Sequence, residues 1–314
     1  MTRTHPPTLI TLATRTLREE CGVEKGERLL VAASGGSDSS ALLHVASLVG
    51  PRLGLTVVAH GVDHGLRDEA ARELDGAEAL AARCGVPFGR TRVTVAPGGN
   101  LQARAREARY EALRTAMSET GATRLATAHH ADDRAETVLL RLLHGATPRG
   151  LAVLPPADGV TIRPLIRARK ADVLRHLHRH DIPFSRDPSN ENRRFLRVRV
   201  RLEVLPLLEA LSPAIVSHLT ALADELARGP LPDLMDADGK AVPLNRAQTI
   251  ALRRAVTLGR GARILLSENR ELVVTRNRNV KAYEVRVDKA PEARGIPRRG
   301  RGSKKGGAKS GKSG

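Results

Sequence analysis

Ser34-Gly35-Gly36-Ser37-Asp38-Ser39 gathers three hydroxyls, two glycines and a carboxylate into six residues, a set suited to holding an anion. Glycine lets the backbone bend until its N–H groups converge, and the Ser34, Ser37 and Ser39 hydroxyls add neutral donors. Asp38 is the odd member, because a carboxylate repels phosphate unless a magnesium ion bridges the two. The loop has neither the G-x-x-x-x-G-K-[ST] spacing nor the lysine of a kinase-type phosphate loop. Further along, Asp133 and Glu136 stand three apart, which puts them on one helix face near its first turn. Acids there suit the helix dipole alone; with His130 they could ligate a metal; as a pair they could hold a cation such as a substrate ammonium group. Arg106 and Arg109 share a helix face with Tyr110 beside them, while Arg197, Arg199 and Arg201 alternate, so a strand would align them and a helix would spread them. Both clusters suit a nucleic-acid backbone or a triphosphate.

These groups need elements to position them. Residues 29–33 form an unbroken apolar run that reads as a buried strand, and Ser39 or Ser40 is expected to cap a helix running to residue 49, whose free N–H groups add to the anion site. Strand patterns at 55–60, 86–95, 124–128 and 160–163 alternate with helical patterns at 69–84, 101–117, 132–144 and 170–180. That alternation predicts an α/β fold, a Rossmann-like parallel sheet covered by helices on both faces. Ligands of such sheets sit beyond the carboxyl ends of the strands, where the Ser34 loop, His60 and His129 all fall. The expected organisation is a helical lead-in over 1–27, a catalytic domain over 28–205, a helical linker and small α+β domain over 206–288, and a disordered basic tail over 289–314. Gly229-Pro230-Leu231-Pro232 interrupts the third of these, after which 242–287 reads as one helix and three strands.

The 314 residues are 41% hydrophobic, with no apolar run near the ~20 residues a membrane span needs and no secretory-type start, so a cytoplasmic protein without membrane partners is expected. Cys21 and Cys84 form no C-x-x-C, which argues against a disulfide framework and against a cysteine-held metal or iron–sulfur cluster. At 2% aromatic residues and no Trp, base-stacking platforms are not expected either. The net charge is +18; residues 290–314 carry eight Lys/Arg against one Glu, so +11 remains on the rest and favours a polyanionic partner. Residues 306–313, GGAKSGKS, spell the kinase-type phosphate loop, but no strand precedes them and the match is read as chance in a low-complexity tail.

The loop resembles the SGGxDS loop of the PP-loop ATP pyrophosphatases, which cut ATP between its α- and β-phosphates. In order along the chain follow His64-Gly65-Leu66-Arg67, Ala105-Arg106-Glu107-Ala108-Arg109-Tyr110, Thr127-Ala128-His129-His130 with Asp132-Asp133 and Glu136-Thr137, Arg163-Pro164-Leu165, Asp187-Pro188-Ser189-Asn190, and Arg199-Val200-Arg201-Leu202-Glu203-Val204-Leu205-Pro206. Together these are similar to the tRNA(Ile)-lysidine synthetases over about residues 28–210. The resemblance implies an ATP- and Mg2+-dependent ligase that adenylates the wobble cytidine of a tRNA(Ile) with a CAU anticodon and joins free lysine to it, releasing pyrophosphate and AMP. It implies that Ser34, Gly35, Gly36, Ser37, Asp38, Ser39 and Arg106 bind ATP and that Asp38 also meets the metal. Asp133 and Glu136 would recognise lysine, Arg109, Arg199 and Arg201 would meet the tRNA, and His130 would belong to the site without an assigned role. One extra residue separates His60 from His64, and Val198 and Gln102 stand where the family usually has Asn and Glu. A different PP-loop tRNA-modifying enzyme, such as a thiolase, is the alternative reading, and a homodimer is left open.

Overall fold

The computed structural model describes residues 7–63, 65, 69–94, 99, 101–185, 192–228, 242–257, 261–266, 270–277 and 282–289; His64, the 187–190 motif and the 306–313 sequence lie outside them. The chain divides into two compact units, 1–230 and 231–314, so the helices of 205–228 belong with the first unit rather than with the α+β segment.

In the first unit, helix α1 (Leu9–Glu19) precedes strand β1 (Arg28–Ala33), helix α2 (Ser37–Val49), β2 (Thr56–Asp63), α3 (Glu69–Arg83), β3 (Phe88–Arg92), α4 (Leu101–Thr120), β4 (Arg124–Ala126) and α5 (Ala131–Leu143). The two-residue strands β5 (Ala157–Asp158) and β6 (Thr161–Ile162) lead to α6 (Lys170–Arg179), α7 (Leu196–Arg199), a π-helical turn (Val200–Val204), α8 (Leu205–Leu211) and α9 (Ile215–Arg228). The strand order is β3-β2-β1-β4-β6-β5, with every pairing parallel except β5 with β6. Parallel strands buried on both faces need apolar side chains at successive positions. In β1, accordingly, Leu29 and Val31 enter one core with α1, α2 and α6, while Leu30 enters another with Leu113, Ala116 and Met117 of α4. A third core joins Ala131, Ala135 and Val138 of α5 to Val216, Leu219 and Ala223 of α9.

The second unit holds α10 (Arg246–Thr257) and the antiparallel strands β7 (Ala262–Leu265), β8 (Arg270–Asn277) and β9 (Ala282–Lys289) in the order β7-β8-β9, with Leu252, Ala255, Ile264, Leu272 and Val274 buried between helix and sheet. Among the described residues no single helix is long and apolar enough to cross a membrane.

Candidate functional site

β1 lies in the middle of the sheet, with β2 on one side and β4 on the other, so the crevice beyond its carboxyl end is where the sheet reverses direction. Ser34 to Ser39 occupy that crevice. Gly35 takes φ +78°, and a Cβ there would lie 2.1 Å from the carbonyl oxygen of Glu73 on α3, so both the backbone conformation and the space require glycine. Helix α2 begins at Ser37, three residues earlier than a Ser39 cap would place it, because Gly36 supplies the extended cap conformation. Ser39 therefore falls in the first turn, where its hydroxyl donates to the Gly36 carbonyl at 3.0 Å and accepts the Ser34 N–H at 3.2 Å. The first-turn N–H groups of α2 have no partner within the helix, and they open toward the crevice as a dipole-assisted anion site.

Lys170, the first residue of α6, donates to Asp38 Oδ1 at 2.6 Å and to the Ser37 hydroxyl at 2.8 Å. Its own backbone N–H is held by Asp132 Oδ2 at 2.7 Å, and Arg169 grips Asp132 through two nitrogens at 2.9 and 3.1 Å. His130 caps α5: Asp133 accepts its backbone N–H at 3.0 Å and donates its own N–H back to Nδ1 at 3.4 Å. His130 Nε2 stands 3.6 Å from Asp38 and 3.4 Å from Asp133, linking the loop to α5. Burial opposes a charge on His130, but Asp132, Asp133 and Asp38 outweigh it and hold the imidazole above its ordinary value. Its neighbour His129, half-buried and facing Arg163, Arg106 and Arg197, is pushed down to about 4 by desolvation despite Asp133, and stays neutral.

Asp133 and Glu136 do share a face, and both receive cations from the chain itself. Glu136 is 1% exposed. Arg201 donates to its two oxygens at 2.6 and 3.0 Å, and Arg197 adds a contact at 3.1 Å and reaches Asp133 at 3.4 Å. The segment 196–204 is helical, so Arg197 and Arg201, four apart, point to the same place, whereas Arg199 turns away and pairs with Glu203 at 3.2 Å. With Glu136 engaged by two guanidiniums, this geometry is that of a cation-holding carboxylate pair and not of a metal centre with His130.

A cavity of about 530 Å3 is lined by Ser34, Gly36, Ser37, Asp38, Ser39, Asp133, Lys170 and Arg201, with His60, Arg109, Tyr110, Thr127, His129, Phe184 and Ser185 also in its wall; Glu136 does not line it. The volume is of the size that holds a nucleotide. Arg109 reaches the wall, whereas Arg106 is exposed outside it with its guanidinium 5.1 Å from the Tyr110 ring. His60 hydrogen-bonds Thr91 at 2.8 Å and burial lowers its basicity, so it is one neutral edge of the pocket. Lys170 was not singled out for a role by spacing. Lys170 carried a usable signal: a lysine at the first position of a helix opposes the dipole, which makes sense only beside negative charge. Cys21 and Cys84 are free and away from the cavity wall, with burial pushing the Cys21 thiol up to about 12.

Between the two acids on α5, Arg134 faces the opposite way and is fully buried. It donates to the Val153 carbonyl at 2.9 Å and to Asp224 of α9 at 2.6 Å, while Arg167 holds the other Asp224 oxygen at 2.5 Å and Glu20 besides. This network fixes the rotation of α5 and so aims Asp133 at the cavity and Glu136 at Arg197 and Arg201.

The family described as the PP-loop domain matches residues 10–208. A tRNA(Ile)-lysidine synthase of Symbiobacterium thermophilum is 40% identical over 216 residues, covering 65% of this chain and 44% of that protein. One of Salinispora arenicola is 39% identical over 229 residues, covering 67% of this chain and 68% of its own length. The chain spans less than half the length of several curated relatives it matches, 48% for the Thermotoga maritima protein. The solved structure of a U34-tRNA thiolase from Methanococcus maripaludis shares the fold, with a TM-score of 0.58 at 17% identity over 71% of this chain and 81% of that one.

Proposed function

Since the chain belongs to the PP-loop family, and within it to the tRNA(Ile)-lysidine synthases, we propose that it joins the side-chain amine of lysine to the wobble cytidine of a tRNA(Ile) with a CAU anticodon, at the expense of ATP. The observation that supports this reading most is the placement of one carboxylate of a cation-holding pair, Asp133, in the wall of the same cavity as the Ser34–Ser39 anion loop, with its partner Glu136 on the same helix face held by Arg201, itself a wall residue. A ligase that activates an RNA base with ATP and then admits an amine needs both.

In the first step the loop N–H groups and the Ser34, Ser37 and Ser39 hydroxyls would bind the nucleotide phosphates, with Lys170 and Arg109 opposing their charge. The cytidine carbonyl oxygen attacks the α-phosphorus, the bond to the β-phosphate oxygen breaks, and pyrophosphate leaves. Asp38 offers a carboxylate oxygen of the kind Mg2+ takes together with phosphate oxygens and water, and a bound Mg2+ would neutralise charge on the leaving group. In the second step the lysine amine, unprotonated, attacks the activated cytidine carbon and AMP departs. Asp133 and Glu136 would orient the incoming amino acid by its charged amine, and neutral His129 at the cavity wall offers a nitrogen able to accept a proton. Such chemistry depends on positioning and charge more than on side-chain nucleophiles.

Incubation with ATP, Mg2+, labelled lysine and a tRNA(Ile) transcript bearing CAU should transfer label to RNA, and Asp133→Asn should abolish the transfer while nucleotide binding persists. Label-free RNA from protein that binds ATP would overturn the reading; sulfur transfer in its place would point to a thiolase.

A further inference from the structure

His44, His176 and His180 meet on the flank of the first unit, away from the nucleotide cavity, and each offers one ring nitrogen within 4.8 Å of the others. We propose that these three imidazoles form a binding site for a divalent transition metal of the imidazole-preferring class, such as zinc, cobalt or nickel, which staples α2 to α6.

Spacing within α6 sets up the site. His176 and His180 are four apart, the separation that places two imidazoles on one helix face, and His180 is the residue that ends the helix, its N–H donating to the His176 carbonyl at 3.2 Å. The third ring comes from α2, with His44 Nδ1 2.9 Å from His176 Nε2. The ring centroids form a triangle of 5.1, 4.8 and 4.5 Å, and the planes are tilted by 44–53°, not stacked, so the edges bearing nitrogen converge. Tetrahedral zinc with Zn–N bonds of ~2.0–2.1 Å holds its ligand nitrogens about 3.3 Å apart, a spacing these rings reach by small rotations. His176 is 6% exposed, while His44 and His180 are half-buried, so a fourth position stays open to water. Three protein ligands with an open position make an exchangeable site rather than a closed structural one. Arg83 and Arg179 are the cations nearby; both are exposed, where solvent screens their repulsion of a metal.

The location gives the site its meaning. Lys170 meets Asp38 where the two helices start, and His176 meets His44 six residues further along each. The helices therefore run side by side in one direction, and a metal would tie them ~9 Å behind the ion pair at a rise of ~1.5 Å per residue. Metal occupancy would thus brace the helix that begins at the phosphate loop against the helix that delivers the lysine.

The test uses the untagged full chain, freed of metal by chelation and titrated with cobalt(II), then with competing zinc. One tight cobalt per chain is expected, with the visible absorption of a low-coordinate nitrogen-ligated ion and a raised thermal midpoint. His44→Gln and His180→Gln should each weaken binding by at least about tenfold, whereas His178→Gln, an exposed histidine on the same helix, should not. X-ray absorption of the zinc-loaded wild-type chain should show three imidazoles, and it reads the site without any variant. Oxygen-dominated ligation, absence of tight cobalt, or binding unaffected by both His44→Gln and His180→Gln would overturn the proposal.

Discussion

Asp224→Asn is expected to destabilise the first unit by about 3–5 kcal/mol, and Arg134→Met by at most about 2 kcal/mol, although both break the same ion pair. The asymmetry follows from what each change leaves behind. Arg134 is 0% exposed, so without the Asp224 charge its guanidinium is buried uncompensated, with only neutral acceptors, the Val153 carbonyl and the new amide oxygen. Arg167 is not stranded in that variant, because Glu20 still holds it. In Arg134→Met the buried charge itself is gone, together with an Nη2 that has no partner, and Asp224 keeps Arg167 at 2.5 Å. What remains is an unpaired Val153 carbonyl, costing about 1–2 kcal/mol, partly offset by apolar packing of the new side chain. Urea denaturation followed by far-UV circular dichroism measures both, and for a unit of this size each kcal/mol shifts the thermal midpoint by roughly 2–4 °C. Equal losses, or a larger loss in Arg134→Met, would refute the argument that the buried charge, and not the lost pairing, sets the cost.

Lys170→Met removes a charge-assisted donor beside the phosphate loop and should weaken nucleotide binding by about 10- to 100-fold, read by calorimetry, with little change in the thermal midpoint. Gly35→Ala should cost at least about 2 kcal/mol and lower nucleotide affinity, since it adds strain at φ +78° to a collision with the Glu73 carbonyl; unchanged affinity would contradict the loop's assignment. His130 has a raised folded-state value, so its charge stabilises the fold fully below the unfolded value of ~6.5 and this contribution is lost as pH rises through the folded value. The stability gap between wild type and His130→Asn, which keeps the cap, should accordingly shrink from pH 6 upward; a gap that widens would reverse the sign of the argument.

The loop and its flanking elements were legible in the sequence because local rules decide them: an apolar run for β1, glycines for the bend, and a helix immediately after. The starting residue of α2 was misjudged because serine is the commoner cap, whereas here Gly36 takes that position and frees Ser39 to brace the loop. The arginines of 197–201 could not be resolved from alternation, since strand and helix readings agree with it equally; only packing against α5 selects the helix that brings Arg197 and Arg201 to Glu136 and sends Arg199 to Glu203. The strand read at 160–163 is the two-residue β6, whereas β5 exists only through its pairing with β6, which no short window reveals. Lys170 meets Asp38 across 132 residues of chain, a contact that only the sheet's topology creates.

That topology also dictates the order in which the site can come into being during synthesis. β1, β2 and β3 emerge first and can pair, yet β1 keeps one bare edge until β4, residues 124–126, arrives to cover it. Through that interval the growing chain exposes an apolar strand edge, the kind of surface that chaperones shield and that neighbouring chains can add to. The Ser34 loop is made early but is useless alone; Lys170 and Arg201 come last, from the part of the unit made after the sheet has closed. A ribosome-bound fragment ending near residue 150 should therefore possess the phosphate loop without its counter-charges, and competence to hold a nucleotide would appear abruptly, late in translation, rather than grow with chain length.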